Sequence, residues 1–540
     1  MAITATLPGR KTQPRALINW SVSLLLVAGF FLRLHLAWLT FLNPDEALHY
    51  FLSHQPSLRL AYQASLTTAH PPLMILFLHF WSQLGNSEFF LRLPFVVAGT
   101  VLCWVMFLWV EKVASKKAAW LALALFLFMP SLISLSAEIR QYSFLLLFCA
   151  CSLYSVERAL TENSAKWMAL STAALYLALL THYSALIFAA TVGIYALLSV
   201  LRTKPSIRVT AAWAAGQTGA LAICVFLFWS QVSRLRQTGV PSEIAATWLR
   251  SSIFHYGEDH AMAFTWTKTL RLFRYFFSQG TIGLFGFGLF VFAIIVLLRS
   301  THRGGFKPSR RELAILLTVP FLITLALAVA GIYPYGGTRH DVLLAMFAIP
   351  GIAIGLDQLP IIPPTAAARF AKPLLLGAAM LICNLFPSPS GPYIRPGNQR
   401  RELMRQAMDY LRSLPPNSIL FTDAQGSMVL NYYLCDEAMA LPFTPEQSLL
   451  KLRCGIYYVL TSTATQAGFD RPSFPVLLAN AWEAAPKETT LYMFQSGWID
   501  DKEEDWLNEL RGLGGNPRNF GPNILISPIR RNITEPVPTE

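Results

Sequence analysis

A succession of apolar runs of about 17 to 24 residues, set apart by short groups of Lys and Arg, constrains this chain more than any other feature. Runs of that length match the hydrocarbon thickness of a bilayer and leave too little polar surface for a water-soluble core. Of 540 residues, 54% are hydrophobic and only 14% charged, where an ordinary soluble domain carries about 25%. The runs predict about eleven membrane-spanning helices, at 17–40, 88–110, 118–137, 141–157, 167–182, 184–201, 209–231, 276–298, 313–333, 340–357 and 371–388. The expected fold is an all-α polytopic membrane domain over 1–390 with outer loops at 41–87 and 232–275. A small soluble α/β domain at 395–525 and a disordered tail at 526–540 follow it.

A net charge of +13 would favour nucleic acid if the basic residues formed one patch, but they are scattered between apolar runs, so no nucleic-acid partner is expected. They mark loops at the membrane surface instead. Lys112, Lys116 and Lys117, then Arg158 and Lys166, then Arg202, Lys204 and Arg208, then Arg303, Lys307, Arg310 and Arg311, and last Arg369 and Lys372 all fall on one side. Positive charge near span ends is retained in the cytoplasm, which puts the N-terminus inside and the soluble domain outside. Arg10, Lys11 and Arg15 precede the first run as in a signal peptide, yet that run is too long and lacks a small-residue cleavage site. A retained helix is the expectation.

Within the first outer loop, 71–84 is apolar but only about 14 residues long, which predicts an interfacial or re-entrant helix rather than a crossing. Arg234, Arg236, Trp248, Arg250, Arg271 and Arg274 among aromatics in the second predict amphipathic helices on the outer surface. Cys103, Cys149, Cys151, Cys224 and Cys383 lie in apolar runs and read as small hydrophobes. Cys435 and Cys454 lie in the polar domain, where an oxidising compartment permits a disulfide between them. That domain has no Gly-rich nucleotide loop and no metal-spaced His/Cys cluster.

Ionisable groups at the outer ends of spans carry the functional signal, because charge beside hydrocarbon is costly and is kept for a task. Asn43-Pro44-Asp45-Glu46 follows the first span; its carboxylates suit proton acceptance from an incoming hydroxyl or amine, and equally a helix cap. Glu138-Ile-Arg140-Gln-Tyr142 places a carboxylate, a guanidinium and a phenol between two spans. Either Arg140 binds a phosphate there, or Glu138 pairs with Arg140 in an interfacial turn. Thr181-His182-Tyr183 offers an imidazole at the same level, or a belt histidine. Tyr335-Gly-Gly-Thr-Arg339-His340 combines a tight turn exposing backbone N–H groups with a cation and an imidazole, which suits phosphate; a snorkelling Arg339 is the structural alternative. All four groups fall on one side at one depth.

These segments, together with His70-Pro71-Pro72-Leu73 and Glu88-Phe-Phe-Leu-Arg92-Leu-Pro94, resemble in order and position the GT-C type glycosyltransferases that use lipid-linked sugars. The protein O-mannosyltransferases (glycosyltransferase family 39) and bacterial aminoarabinose transferases are the members it is most similar to. The resemblance implies that Asp45, with Glu46 beside it, is the catalytic carboxylate, that Arg140, Arg339 and His340 bind the donor phosphate, and that Glu138, Tyr142, His70, His182 and Tyr335 line the substrate site. It implies transfer, with inversion, of a hexosyl or pentosyl group from a polyprenyl-phosphate donor to an extracytoplasmic lipid, glycan or protein. A bacterial inner-membrane location follows, with no cofactor expected; a divalent ion held by the two carboxylates is the disfavoured alternative. A transporter or flippase of an anionic lipid would line a pathway with the same charges but should show them from both sides.

Overall fold

A computed structural model of the protein describes residues 20–237, 249–299, 309–360, 368–387, 399–435, 449–462, 474–486, 490–496 and 504–531. Among these, eight helices are long and apolar enough to cross a membrane, and a bent pair makes a ninth. Two shorter apolar helices, Ala165–Leu179 and Ala371–Leu385, occupy the remaining positions where spans were expected. Leu24, Phe285, Leu374 and Leu375 are each about 70% exposed on such helices. In water that much apolar surface would drive aggregation; against lipid tails it is matched to its solvent. The chain is an integral membrane protein.

Helix α1 (Trp20–Leu39) leads into the 41–87 loop, which folds as three short helices, α2 (Pro44–Ser53), α3 (Leu58–Ser65) and α4 (Leu73–Trp81). Pro44 at the first position of α2 has no N–H to leave unsatisfied, and Asn43 and Glu46 close a reciprocal capping box. At nine residues, or about 13 Å at 1.5 Å per residue, α4 is too short to cross, as its apolar length predicts. Helix α5 (Glu88–Val113) then spans the bilayer.

The next crossing is broken. Helices α6 (Lys116–Phe128) and α7 (Pro130–Ser136) meet at 54°. Pro130 cannot donate to the carbonyl four residues back, so carbonyls at the break lose their partners inside the bundle. Arg33 of α1, fully buried, replaces them: its Nη2 donates to Phe126 O and its Nη1 to Leu127 O, both at 2.9 Å. The bend delivers 137–141, which carries Glu138 and Arg140, to the N-terminal end of α8 (Tyr142–Glu162).

The soluble domain is a six-stranded mixed sheet of β1 (Ile419–Thr422), β2 (Leu449–Cys454), β3 (Tyr457–Ser462), β4 (Leu491–Ser496), β5 (Arg518–Asn519) and β6 (Ile524–Ile529), in the order β2-β3-β1-β4-β6-β5. Strand β1 pairs in parallel with β3 and β4. Alternation along β1 splits its side chains between two cores: Ile419 and Phe421 pack with Leu460 and Met493, and Leu420 packs with Met404 and Val459. Phe41, just past the C-terminal end of α1, is buried in the second of these, so the two regions share a core. Strand β6 corrects one expectation: 526–529, placed by its Pro content in a disordered tail, pairs antiparallel with β4. Its Ile and Leu side chains fill the sheet's cores, and Pro528 lies past the Leu525 and Ile526 positions that β5 pairs with. The segment 532–540 lies outside the described residues, as does Trp248.

Candidate active site

Asp45 sits in the first turn of α2, where the capping box fixes the backbone and aims its side chain away from the cap. One carboxylate oxygen, Oδ2, meets two guanidiniums: Arg140 Nη1 at 2.9 Å and Arg339 Nη1 at 2.5 Å. Residues 95 and 294 positions further along the chain thus converge on one atom. Arg140 is 3% exposed, Asp45 19% and Arg339 28%, so the cluster is buried on one side and open on the other. Burial alone would raise the Asp45 pKa, but the two guanidiniums outweigh it and hold the carboxyl below its ordinary range.

Glu46 has a different place. Its side chain is fully buried against Arg92 at 2.6 Å, and it also accepts from Ile139 N–H at 2.8 Å and from Asn43 N–H at 3.0 Å. Every lone pair that could serve chemistry is occupied, so the structure separates the two adjacent carboxylates: one faces the pocket and the other is a structural node. Arg92 gives its remaining donors to the carbonyls of Ala37, Thr40 and Phe41, at 2.7 to 2.9 Å. The turn ahead of Asp45 is therefore clamped from below.

Imidazoles wall the pocket. Ring centroids run His49 to His70 at 6.0 Å, His70 to His182 at 5.4 Å and His182 to His340 at 6.5 Å, with Tyr142 5.4 Å from His182. Gln141 Nε2 lies 3.1 Å from His70 Nε2. His182 Nδ1 accepts from Ser184 N–H at 3.1 Å, which puts the proton of the neutral ring on Nε2. Burial, then the positive charge of Arg140, lowers His49 and His182 to about 3, so both rings are neutral at ordinary pH. Glu138 moves the other way: burial and then the nearby Glu46 charge push its carboxyl up, toward the protonated form. Its side-chain partner is Ser134 Oγ at 3.4 Å, while Arg140 goes to Asp45. The Glu138–Arg140 pairing is not formed.

Two expectations need correction. The N–H groups of Gly336, Gly337 and Thr338 all donate to Asp341 Oδ2, at 3.0 to 3.2 Å, so the turn spends them on its own carboxylate rather than presenting them to a phosphate. The turn still needs glycine, since Gly337 has φ +85° and a Cβ there would lie 2.5 Å from Arg271 O. Tyr335 joins Thr269 Oγ1 at 2.9 Å and Ser252 O through its N–H at 2.8 Å. Its contacts brace the turn against the Ala261–Phe277 helix and do not reach Asp45.

Asn43 Nδ2, Arg140 Nε, Gln141 Oε1 and Tyr142 Oη are buried and have no hydrogen-bond partner among the described residues. Such atoms are costly in a finished core and are what a polar substrate would satisfy. His49 was missed in the sequence, although its place one turn after Asp45 on α2 carries the signal. Among the described residues no group of three or more His, Cys, Asp or Glu is arranged to hold a metal ion. At Asp45 the facing groups are cations, which does not fit a divalent ion.

Residues 69–229 match the family described as dolichyl-phosphate-mannose-protein mannosyltransferase. This interval holds His70, Glu138, Arg140, Tyr142 and His182, and stops short of Arg339. No curated protein sequence matches the chain. Over nearly its full length the structure is similar to ArnT of Cupriavidus metallidurans. The form bound to undecaprenyl phosphate superposes with a TM-score of 0.54 at 14% identity, covering 95% of this chain and 98% of that one. The apo form gives 0.52 at 14% identity, covering 94% and 98%. The chain has the GT-C glycosyltransferase fold. That fold, a bundle of membrane helices followed by a small sheet domain, is the one the resemblance implied.

Proposed function

We propose that this GT-C protein moves a single hexosyl or pentosyl group from a polyprenyl phosphate to an extracytoplasmic acceptor, in one displacement with inversion. The observation that carries the proposal is the convergence of Arg140 and Arg339 on Asp45 in a half-buried pocket. An acceptor oxygen or nitrogen forms a bond to the anomeric carbon as the bond from that carbon to the phosphate oxygen breaks. The electron pair leaves with the lipid phosphate, and the acceptor proton goes to Asp45. Arg140 and Arg339 meet the charge growing on the phosphate, in a site where low dielectric strengthens each contact.

The same guanidiniums explain why Asp45 can be a base despite its lowered pKa. An incoming phosphate competes for both, and as they turn toward it Asp45 regains basicity when the donor is in place. His340, the neutral rings of His70 and His182, and Glu138, whose carboxyl burial pushes toward the protonated form, offer hydrogen bonds to sugar and phosphate. Charge compensation is assigned to the two arginines rather than to a metal, so chelation should leave activity unchanged.

The site lies opposite Lys112, Lys116, Lys117, Arg158 and Arg202, which supports a cytoplasmic N-terminus and a reaction on the outer face. The Cys435–Cys454 disulfide supports an oxidising compartment for the soluble domain, and a bacterial inner membrane is the setting we assign. Purified protein in lipid, offered a panel of polyprenyl-phosphate monosaccharides with envelope extract, should release polyprenyl phosphate; Asp45→Asn should not. Absence of release from every donor by folded wild type would overturn the proposal and favour lipid translocation.

A further inference from the structure

The loop ahead of Asp45 is held from two directions, and only one belongs to the membrane domain. Arg92 binds its carbonyls. Its N–H groups go to the soluble domain: Phe41 N donates to Gln399 O at 3.0 Å, and Leu42 N donates to the phenol oxygen of Tyr433 at 2.8 Å. Leu42 is fully buried and lies three residues before Asp45. The Tyr433 phenol donates in turn to Glu88, at the start of α5, and Arg401 of the soluble domain pairs with the same carboxylate. One hydroxyl therefore ties together the turn before the catalytic carboxylate and the head of the helix that carries Arg92.

The neighbouring Tyr432 reinforces this. Its hydroxyl donates to Asn86 O at 2.7 Å, and its ring meets Tyr50, on α2 itself, edge-on at 5.0 Å. Both tyrosines end the Ala424–Tyr433 helix, and two residues later Cys435 is bonded to Cys454 at the end of β2. Nothing in the transfer chemistry requires a cross-link at that point. Its place in the fold is to anchor the C-terminal end of the tyrosine-bearing helix to the sheet.

We propose that Tyr433 is a positioning residue for Asp45, and that the Cys435–Cys454 disulfide holds it in place so that full activity requires an oxidised soluble domain. Tyr433 touches no reacting atom. It fixes the Leu42 N–H and hence the entry of the chain into α2, and with it the direction from Asp45 to Arg140 and Arg339. Loss of the phenol hydroxyl should lower kcat while leaving KM for the lipid-linked donor close to wild type, because the two arginines stay in place. The inference builds on the proposed transferase activity for its kinetic readout.

The test uses the full chain in lipid with a polyprenyl-phosphate monosaccharide as donor. Tyr433→Phe keeps the ring and removes one hydroxyl; kcat should fall about tenfold or more. Reduction of wild type with a phosphine should lower kcat in the same way, and reduction of Tyr433→Phe should add little, since both act through one contact. Hydrogen exchange over residues 40–46 should quicken in both cases, and this readout holds even if no donor turns over, which separates failure here from failure of the transferase reading. Unchanged exchange over 40–46 in Tyr433→Phe would overturn the proposal. So would wild-type kcat in that variant, or a reduction effect that simply adds to it.

Discussion

Arg92 and Glu46 form a fully buried, doubly hydrogen-bonded ion pair, Nε to Oε1 at 2.7 Å and Nη2 to Oε2 at 2.6 Å. Glu46 follows Asp45 directly in sequence, yet the pair lies away from the pocket in space. Removing one member leaves an uncompensated charge in the core, which costs about 3–5 kcal/mol. Glu46→Ala and Arg92→Ala should each lower the thermal unfolding temperature sharply in detergent, with activity lost through unfolding. A Glu46→Ala protein as stable as wild type yet inactive would instead return Glu46 to the chemistry.

Asp45→Asn should behave in the opposite manner. General-base loss predicts about a 10²- to 10⁴-fold fall in kcat. Because Arg140 and Arg339 lose the carboxylate they share, polyprenyl phosphate lacking its sugar should bind more tightly to the variant than to wild type. Competition against a labelled lipid phosphate measures this. Weaker binding in a folded variant would mean the arginines do not serve the phosphate.

In the free enzyme Arg140 and Arg339 lower the Asp45 pKa, so the acid limb of wild-type kcat/KM should lie below the ordinary aspartate range. In Arg140→Gln one of those charges is gone, the pKa rises, and the acid limb of kcat/KM should move to higher pH. The shape of the profile is the readout, because its height falls for a second reason, the lost phosphate contact.

His49 and His182 give stability its own pH dependence. Their folded pKa of about 3 lies below an unfolded value of about 6.5. The unfolded chain therefore takes up protons first as pH falls, and stability should decline from about pH 6.5 downward. Thermal unfolding measured from pH 7.5 to 5 should show that slope, and replacing both histidines by Asn should flatten part of it. An unchanged slope would mean these rings are not buried neutral.

Arg33→Ala should uncouple the bend between α6 and α7. The carbonyls of Phe126 and Leu127 would lose charged donors in a water-poor interior, at about 1–3 kcal/mol each. Both stability and donor turnover should suffer, because the bend positions Arg140. Full activity in a stable Arg33→Ala protein would show that the helix break holds itself.

Much of this was open to reading because lipid is a demanding solvent. Apolar length, the clustering of Lys and Arg at alternate loops, and the grouping of Asp45, Arg140, His182 and Arg339 at the opposite span ends are one-dimensional facts with a strong physical cause. The helical spacing of apolar residues over Arg401–Arg412 and the apolar run of β1 are legible for the same kind of reason.

What the sequence could not decide is which neighbour each polar group would choose. Asp45 and Glu46 are identical in context until folding turns one to two arginines at an open pocket and seals the other on Arg92. The glycine turn looked like a phosphate cradle until Asp341 took its N–H groups. Burial makes every polar partner obligatory, and partners far apart in the chain are matched only by tertiary packing. The amino-acid order thus fixed where charge would meet the membrane surface; the packed structure decided which of those charges remained available for chemistry.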